Sequence, residues 1–193
     1  MLSEPEQILQ VVINVFDQLA IEYLVGGSVA SGVYGVYRFT NDIDMVASIT
    51  EAKVPALVAA LNAFYADNEM IADAVDTNSS FSILHLDLMI KVDVFLKAND
   101  DWADEVWKRR QLLPVSADGA LRAFLPSAED AILQKLRWFQ MGGGVSDRQW
   151  GDVLGMLRVQ GAGSLDAGYL RFWAARIGVS GLLDRALANA AIA

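Results

Sequence analysis

Gly26-Gly27-Ser28 is followed in the next stretch of chain by Asp42-Ile43-Asp44, and these residue types suit phosphate and metal chemistry. The glycine pair frees the backbone where a predicted strand, Tyr23–Val25, runs into a predicted helix. Free N–H groups at a helix start attract phosphate, and glycine lets the main chain approach it closely. Asp42 and Asp44 stand two apart in an apolar, strand-like segment, so both carboxylates project from one face and Ile43 from the other. Two acids on one face beside a phosphate cradle are what a divalent metal bound to a nucleotide requires. A third acid, Asp93, lies in Lys91-Val92-Asp93-Val94-Phe95, a further strand-like run. A charge among apolar neighbours is costly unless paired or metal-bound; the alternative is an edge-strand acid facing water. If Asp42, Asp44 and Asp93 converge, they hold one or two Mg2+ ions. One ion grips the triphosphate of a nucleoside triphosphate (NTP) and stabilises the leaving pyrophosphate; the other lowers the pKa of an attacking hydroxyl. Asp93 is then also the general base, or the acid that positions the nucleophile.

Other candidates surround this set. Arg38 and Thr40 lie just upstream in Tyr37-Arg38-Phe39-Thr40-Asn41-Asp42. The Arg38 fork either contacts a phosphate or braces an aspartate, with a surface ion pair as the plainer reading. Lys135, mid-way along a largely apolar predicted helix, either reaches the triphosphate or snorkels to solvent. Lys108-Arg109-Arg110 reads as a solvated helix end, with an acidic co-substrate such as RNA as the alternative. His85 reads as a strand-face residue, and Trp138, Trp150 and Trp173 as helix packing.

The rest of the composition narrows the chemistry. With no cysteine and a single histidine, disulfides, thiolate metal sites and histidine triads are excluded. The chemistry must rest on carboxylates, lysine, arginine and hydroxyls. A net charge of −9 argues against a general nucleic-acid coating protein, which needs a broad cationic surface. The 193 residues, 54% of them hydrophobic, can bury a core and exclude a disordered chain. Charges interrupt every apolar run, so no membrane span is expected. The acidic start lacks a secretory layout, and a cytoplasmic setting is expected.

These residues need strands to carry the acids and helices to flank them. Helical spacing predicts an amphipathic helix over Glu4–Ala20, a helix of small residues over Ser28–Tyr37 packing close to a sheet, and a crossover helix over Thr50–Tyr65 capped by Thr50. Strands are predicted at Tyr23–Val25 and Asn41–Ala47, and at Phe81–Leu86 and Met89–Leu96, the last two as a hairpin turning near Asp87. A short helix over Asp101–Arg110 precedes two strand-like runs, Leu112–Val115 and Leu121–Phe124, around an Ala117-Asp118-Gly119 turn. After Pro126, Ser127 caps a helix that ends at Gly142-Gly143-Gly144, the best hinge candidate. Helices over Ser146–Val159, Leu165–Ile177 and Ser180–Ala191 follow. The expected fold is α+β: a mixed β-sheet flanked by helices over 1–125, then a C-terminal helical bundle over 126–193.

The run Tyr23-Leu-Val-Gly-Gly-Ser28, then Arg38-Phe-Thr-Asn-Asp-Ile-Asp44, then Lys91-Val-Asp93, resembles the nucleotidyltransferase (polymerase beta-like) superfamily. Within it the chain is most similar to the AbiEii-like bacterial group of type IV toxin–antitoxin and phage-defence systems. Ser127-Ala-Glu-Asp-Ala-Ile-Leu-Gln-Lys135 resembles that group's downstream lysine-bearing helix. The resemblance spans Tyr23 to Trp150 and implies a nucleotidyltransferase-type sheet, Mg2+ and an NTP donor. It implies that Gly27 and Ser28, with Gly26, hold phosphate, that Asp42, Asp44 and Asp93 hold metal, and that Lys135 contacts nucleotide. It favours RNA, especially a tRNA end, or a protein side chain as acceptor, and a cognate toxin or antitoxin as partner. Two other readings stand beside it: a non-catalytic, antitoxin-like regulatory module, and transfer to a small molecule such as an aminoglycoside.

Overall fold

The computed structural model describes residues 2–38, 40, 42–161 and 163–191. In chain order the elements begin with α1 (Glu4–Gln18), β1 (Glu22–Val25), α2 (Gly27–Tyr34) and β2 (Asp42–Ser48). A 3-10 turn at Glu51–Lys53 leads into α3 (Val54–Ala60), β3 (Phe64–Tyr65), α4 (Asn68–Asp76), β4 (Ser80–His85) and β5 (Lys91–Leu96). Then come α5 (Asp101–Lys108), β6 (Gln111–Pro114), β7 (Arg122–Leu125), α6 (Ala128–Met141), α7 (Asp147–Gln160), α8 (Ala167–Arg176) and α9 (Ser180–Ala190). The described residues form two compact units, one from 2–26 with 40 and 42–125, the other from 27–38 with 126–161 and 163–191.

In the first unit five strands form a sheet in the order β1-β2-β5-β4-β3. β2 and β5 run parallel and every other neighbouring pair is antiparallel, so the sheet is mixed, as expected. Alternation decides which face is core. β2 buries Ile43, Met45 and Ala47, and β5 buries Val92, Val94 and Leu96, while Asp42, Asp44, Lys91 and Asp93 fall on the other side. α1 contributes Ile8, Leu9, Val12 and Phe16 to the core, and the Phe16 ring meets Tyr23 at a centroid distance of 6.0 Å.

The predicted helix over Thr50–Tyr65 is corrected. Thr50 makes no side-chain cap, α3 stops at Ala60, and Phe64–Tyr65 pairs with His85 and Leu84 as an edge strand. Phe64 stands edge-on to the His85 ring at 5.1 Å, a tertiary contact that outweighs the helical spacing. α4 was not anticipated, although Asp67 caps it by accepting from the Met70 N–H at 2.8 Å. β6 and β7 form a separate two-stranded hairpin, and Gly119 takes φ +71° in its turn.

The second unit is helical: α2 with α6, α7, α8 and α9. Ser127, Ser146 and Asp166 cap α6, α7 and α8, each accepting from the backbone N–H three residues on. α2 ends at Tyr34 rather than Tyr37, and it groups with these helices instead of the strands on either side of it in sequence. Gly35 explains the fit: a Cβ there would lie 2.8 Å from the Met156 backbone nitrogen on α7. Gly142-Gly143-Gly144 lies inside this unit and serves as a helix terminus, not a joint. The Gly144 N–H donates to the Phe139 carbonyl at 2.8 Å, folding the chain back over the end of α6. Trp150 packs against Phe139 with the rings tilted and their centres 5.2 Å apart, and it carries the Arg185 guanidinium at 4.4 Å from its ring centre.

Candidate functional site

The parallel register sets Asp44 against Asp93 as Cα partners, and Asp42 against Lys91 one pleat away. Across β4, Ser82 is the partner of Asp93. On the β1 side the Gly26 N–H donates to the Asp44 carbonyl at 2.9 Å. A row of Gly26, Asp44, Asp93 and Ser82 therefore crosses the sheet, with Asp42 and Lys91 beside it on the same face. Thr40 shapes the entry into β2: its hydroxyl donates to the Asp42 carbonyl at 3.0 Å and accepts from the Asp42 N–H at 3.3 Å.

Both oxygens of Asp93 are engaged by side chains. The Ser82 hydroxyl donates to Oδ1 at 2.5 Å, and the Lys91 ammonium stands 2.8 Å from Oδ2. The hydrogen bond to Asp93 pushes the Lys91 pKa up; burial opposes this, and the charges of Asp93, Asp42 and Asp44 add to the rise. The ammonium thus feels all three carboxylates. Among the described residues no three acidic or imidazole groups are gathered as tightly as a metal cage needs. The donor chemistry nonetheless fits a hard cation, because the site offers carboxylate oxygens and already attracts a positive charge.

The remaining candidates lie in the second unit. Gly27 opens α2 with φ +53°, a conformation glycine adopts without strain, and Ser28 beside it is buried. Arg38 braces an aspartate: its Nε and Nη2 donate to Asp152 Oδ1 and Oδ2 at 3.1 and 3.2 Å. Lys135 does not snorkel. Its ammonium is buried and donates to Asp152 Oδ2 at 2.8 Å. Burial alone would raise the Asp152 pKa, but hydrogen bonds from Arg38 and Lys135 and their charges outweigh it, holding the carboxyl below its ordinary range. Sequence reasoning missed Asp152, which lies in α7, far along the chain from both of its partners. Tyr34 donates to the Pro126 carbonyl at 2.6 Å; burial, then the Glu129 and Asp130 charges, push its hydroxyl well above the ordinary tyrosine value.

Of the basic run at the end of α5, Arg110 is spent on the protein itself, while Lys108 stays largely exposed, as a solvated helix end does. The Arg110 guanidinium lies 5.3 Å from both the Trp107 and Phe124 ring centres and pairs with Glu22, whose carboxyl it holds below the usual range. Lys108 reaches Glu105 at 3.8 Å.

Solved structures share this architecture. The antibiotic-resistance factor ANT(2'')-Ia, in its solution structure, is similar over 94% of this chain and 96% of its own, with a TM-score of 0.59 at 14% identity. The lincosamide antibiotic adenylyltransferase LnuA, crystallised with lincomycin, is similar over 80% of this chain and 96% of its own, with a TM-score of 0.52 at 12% identity. An antigenic nucleotidyltransferase-like protein from Paracoccidioides brasiliensis gives 0.50 at 17% identity, over 96% of this chain and 94% of that one. No family model matches the sequence, and no curated protein matches it. At such identities the likeness is one of fold, and the chain has the nucleotidyltransferase-type fold.

Proposed function

We propose that the protein transfers a nucleoside monophosphate from an NTP to an acceptor hydroxyl, using Mg2+ held by Asp42, Asp44 and Asp93. The observation that carries this reading is the register of β2 and β5, which sets Asp44 against Asp93 on the face that also bears Asp42. A cation held there supplies charge neutralisation for the triphosphate and lowers the pKa of the attacking hydroxyl. The acceptor oxygen bonds to the α-phosphorus, the bond to the β-phosphate breaks, and pyrophosphate leaves. Asp93 receives the hydroxyl proton, and Ser82 holds its carboxylate in place. Gly26 and Thr40, with the Gly27-Ser28 turn that follows Gly26 in the chain, are assigned to the nucleotide; Lys135 and Arg38 are already held by Asp152 and are assigned no direct contact with it.

The acceptor we favour is a small molecule. The likeness to ANT(2'')-Ia and to the lincosamide adenylyltransferase runs almost the full length of those chains. ANT(2'')-Ia has also been crystallised with adenylyl-2''-tobramycin, at a TM-score of 0.55 and 13% identity to this chain. A net charge of −9 favours a cationic small molecule over RNA. The test is incubation with each labelled NTP and Mg2+ in cell extract, followed by separation of small molecules, RNA and protein. Label should appear in the small-molecule fraction with wild type and not with Asp44→Ala. Turnover retained by a folded Asp44→Ala rejects the metal assignment. Label on RNA or protein would transfer the acceptor to the class suggested by the AbiEii-like motifs, and no transfer from any NTP would favour a regulatory module.

A further inference from the structure

Lys91 has no part in the chemistry just described, yet it stands among the residues assigned to the cation. It is the Cα partner of Asp42 and lies two residues before Asp93, so alternation places it on the face of Asp42, Asp44 and Asp93. Its Nζ is 2.8 Å from Asp93 Oδ2, while Ser82 takes Oδ1, so the protein itself occupies the carboxylate. Like charges set directly opposite on adjacent strands are destabilising, and Asp44 opposite Asp93 is such a pair. A cation between them relieves the repulsion. The Lys91 side chain is 45% exposed, and its flexible stem can swing to water without disturbing β5.

We infer that Lys91 is the resident counter-ion of the carboxylate face, displaced when a divalent cation binds, and that it thereby sets the cation affinity of the site. The inference rests on the assignment of that face to a metal, and the two are tested separately. Lys91 offsets part of the negative charge of this face and holds free metal off. Metal then loads most readily together with a triphosphate, whose own negative charge compensates for the ammonium that must leave.

Mn2+ binding without nucleotide, followed by electron paramagnetic resonance, reads this directly. Lys91→Gln should bind Mn2+ about tenfold more tightly than wild type, Lys91→Arg should match wild type, and Asp44→Asn should bind more weakly. An equal or weaker affinity in Lys91→Gln overturns the counter-ion role. An unchanged affinity in Asp44→Asn overturns the metal site itself. A second measurement needs no variant beyond those used for assignment. In wild type, the side-chain ammonium resonance of Lys91 should shift on adding Mg2+ while that of Lys53, which donates to the Ala20 carbonyl at 2.6 Å, stays put. If the Lys91 resonance also stays put while Mg2+ binds, the displacement does not occur.

Discussion

Replacing Asp152 with Asn leaves two cations facing a neutral amide. The aspartate and Lys135 side chains are only 6% and 7% exposed, whereas Arg38 is 31% exposed and can turn toward water. Removing one partner of a buried ion pair costs roughly 3–5 kcal/mol. Since Arg38 can relax and the amide oxygen still accepts a hydrogen bond, the lower end applies, about 3 kcal/mol. At a urea m-value of about 2 kcal/mol/M, the midpoint should fall by about 1.5 M. Trp138, Trp150 and Trp173 report on the second unit and Trp102 and Trp107 on the first, so fluorescence and circular dichroism should be followed together. The double variant Asp152→Asn/Lys135→Met should regain part of the loss, because the orphaned buried ammonium is gone. A cost below about 1 kcal/mol, or a double variant worse than the sum of its parts, would refute the claim that this cluster is buried and mutually satisfied.

Acid should act on the same aspartate. Its folded pKa lies below the unfolded value, so its stabilisation is present above about pH 4 and is lost as pH falls through the folded pKa; Asp152→Asn should flatten acid unfolding there. Gly35→Ala should cost about 1–3 kcal/mol, since the new Cβ meets the α7 backbone. Gly151→Ala on α7, with nothing within 4 Å of its Cβ, should instead gain up to about 1 kcal/mol, and equal melting temperatures for the two would deny the tight approach. Chelation before assay should abolish label transfer and added Mn2+ should restore it; transfer that survives chelation removes the cation from the mechanism.

The sequence revealed some parts of this structure more readily than others, for physical reasons. β2 and β5 were legible because a period-two run with acids on one face and Ile43, Met45, Val92 and Val94 on the other has a single sensible burial. α6 was legible from Ser127, whose cap is a local event. β3 was not, since a two-residue edge strand exists only through its pairing with β4. α4 left a signal that went unread: Asp67 as cap, with Ile71 and Ala74 inward. Asp152 left none, because its meaning comes from Arg38 and Lys135, which reach it only in the folded chain. Lys91 stood in plain view two places before Asp93, but its role emerges only once the register puts Asp42 opposite it.

The assignment of α2 to the helical unit bears on the order in which the protein is made. An eight-residue helix of mostly small side chains is too short to persist by itself. Its packing surface on α7 is translated only after the whole sheet has left the ribosome. The nascent chain must therefore carry Gly27–Tyr34 as an unfinished loop between two strands that can already pair, and complete it last.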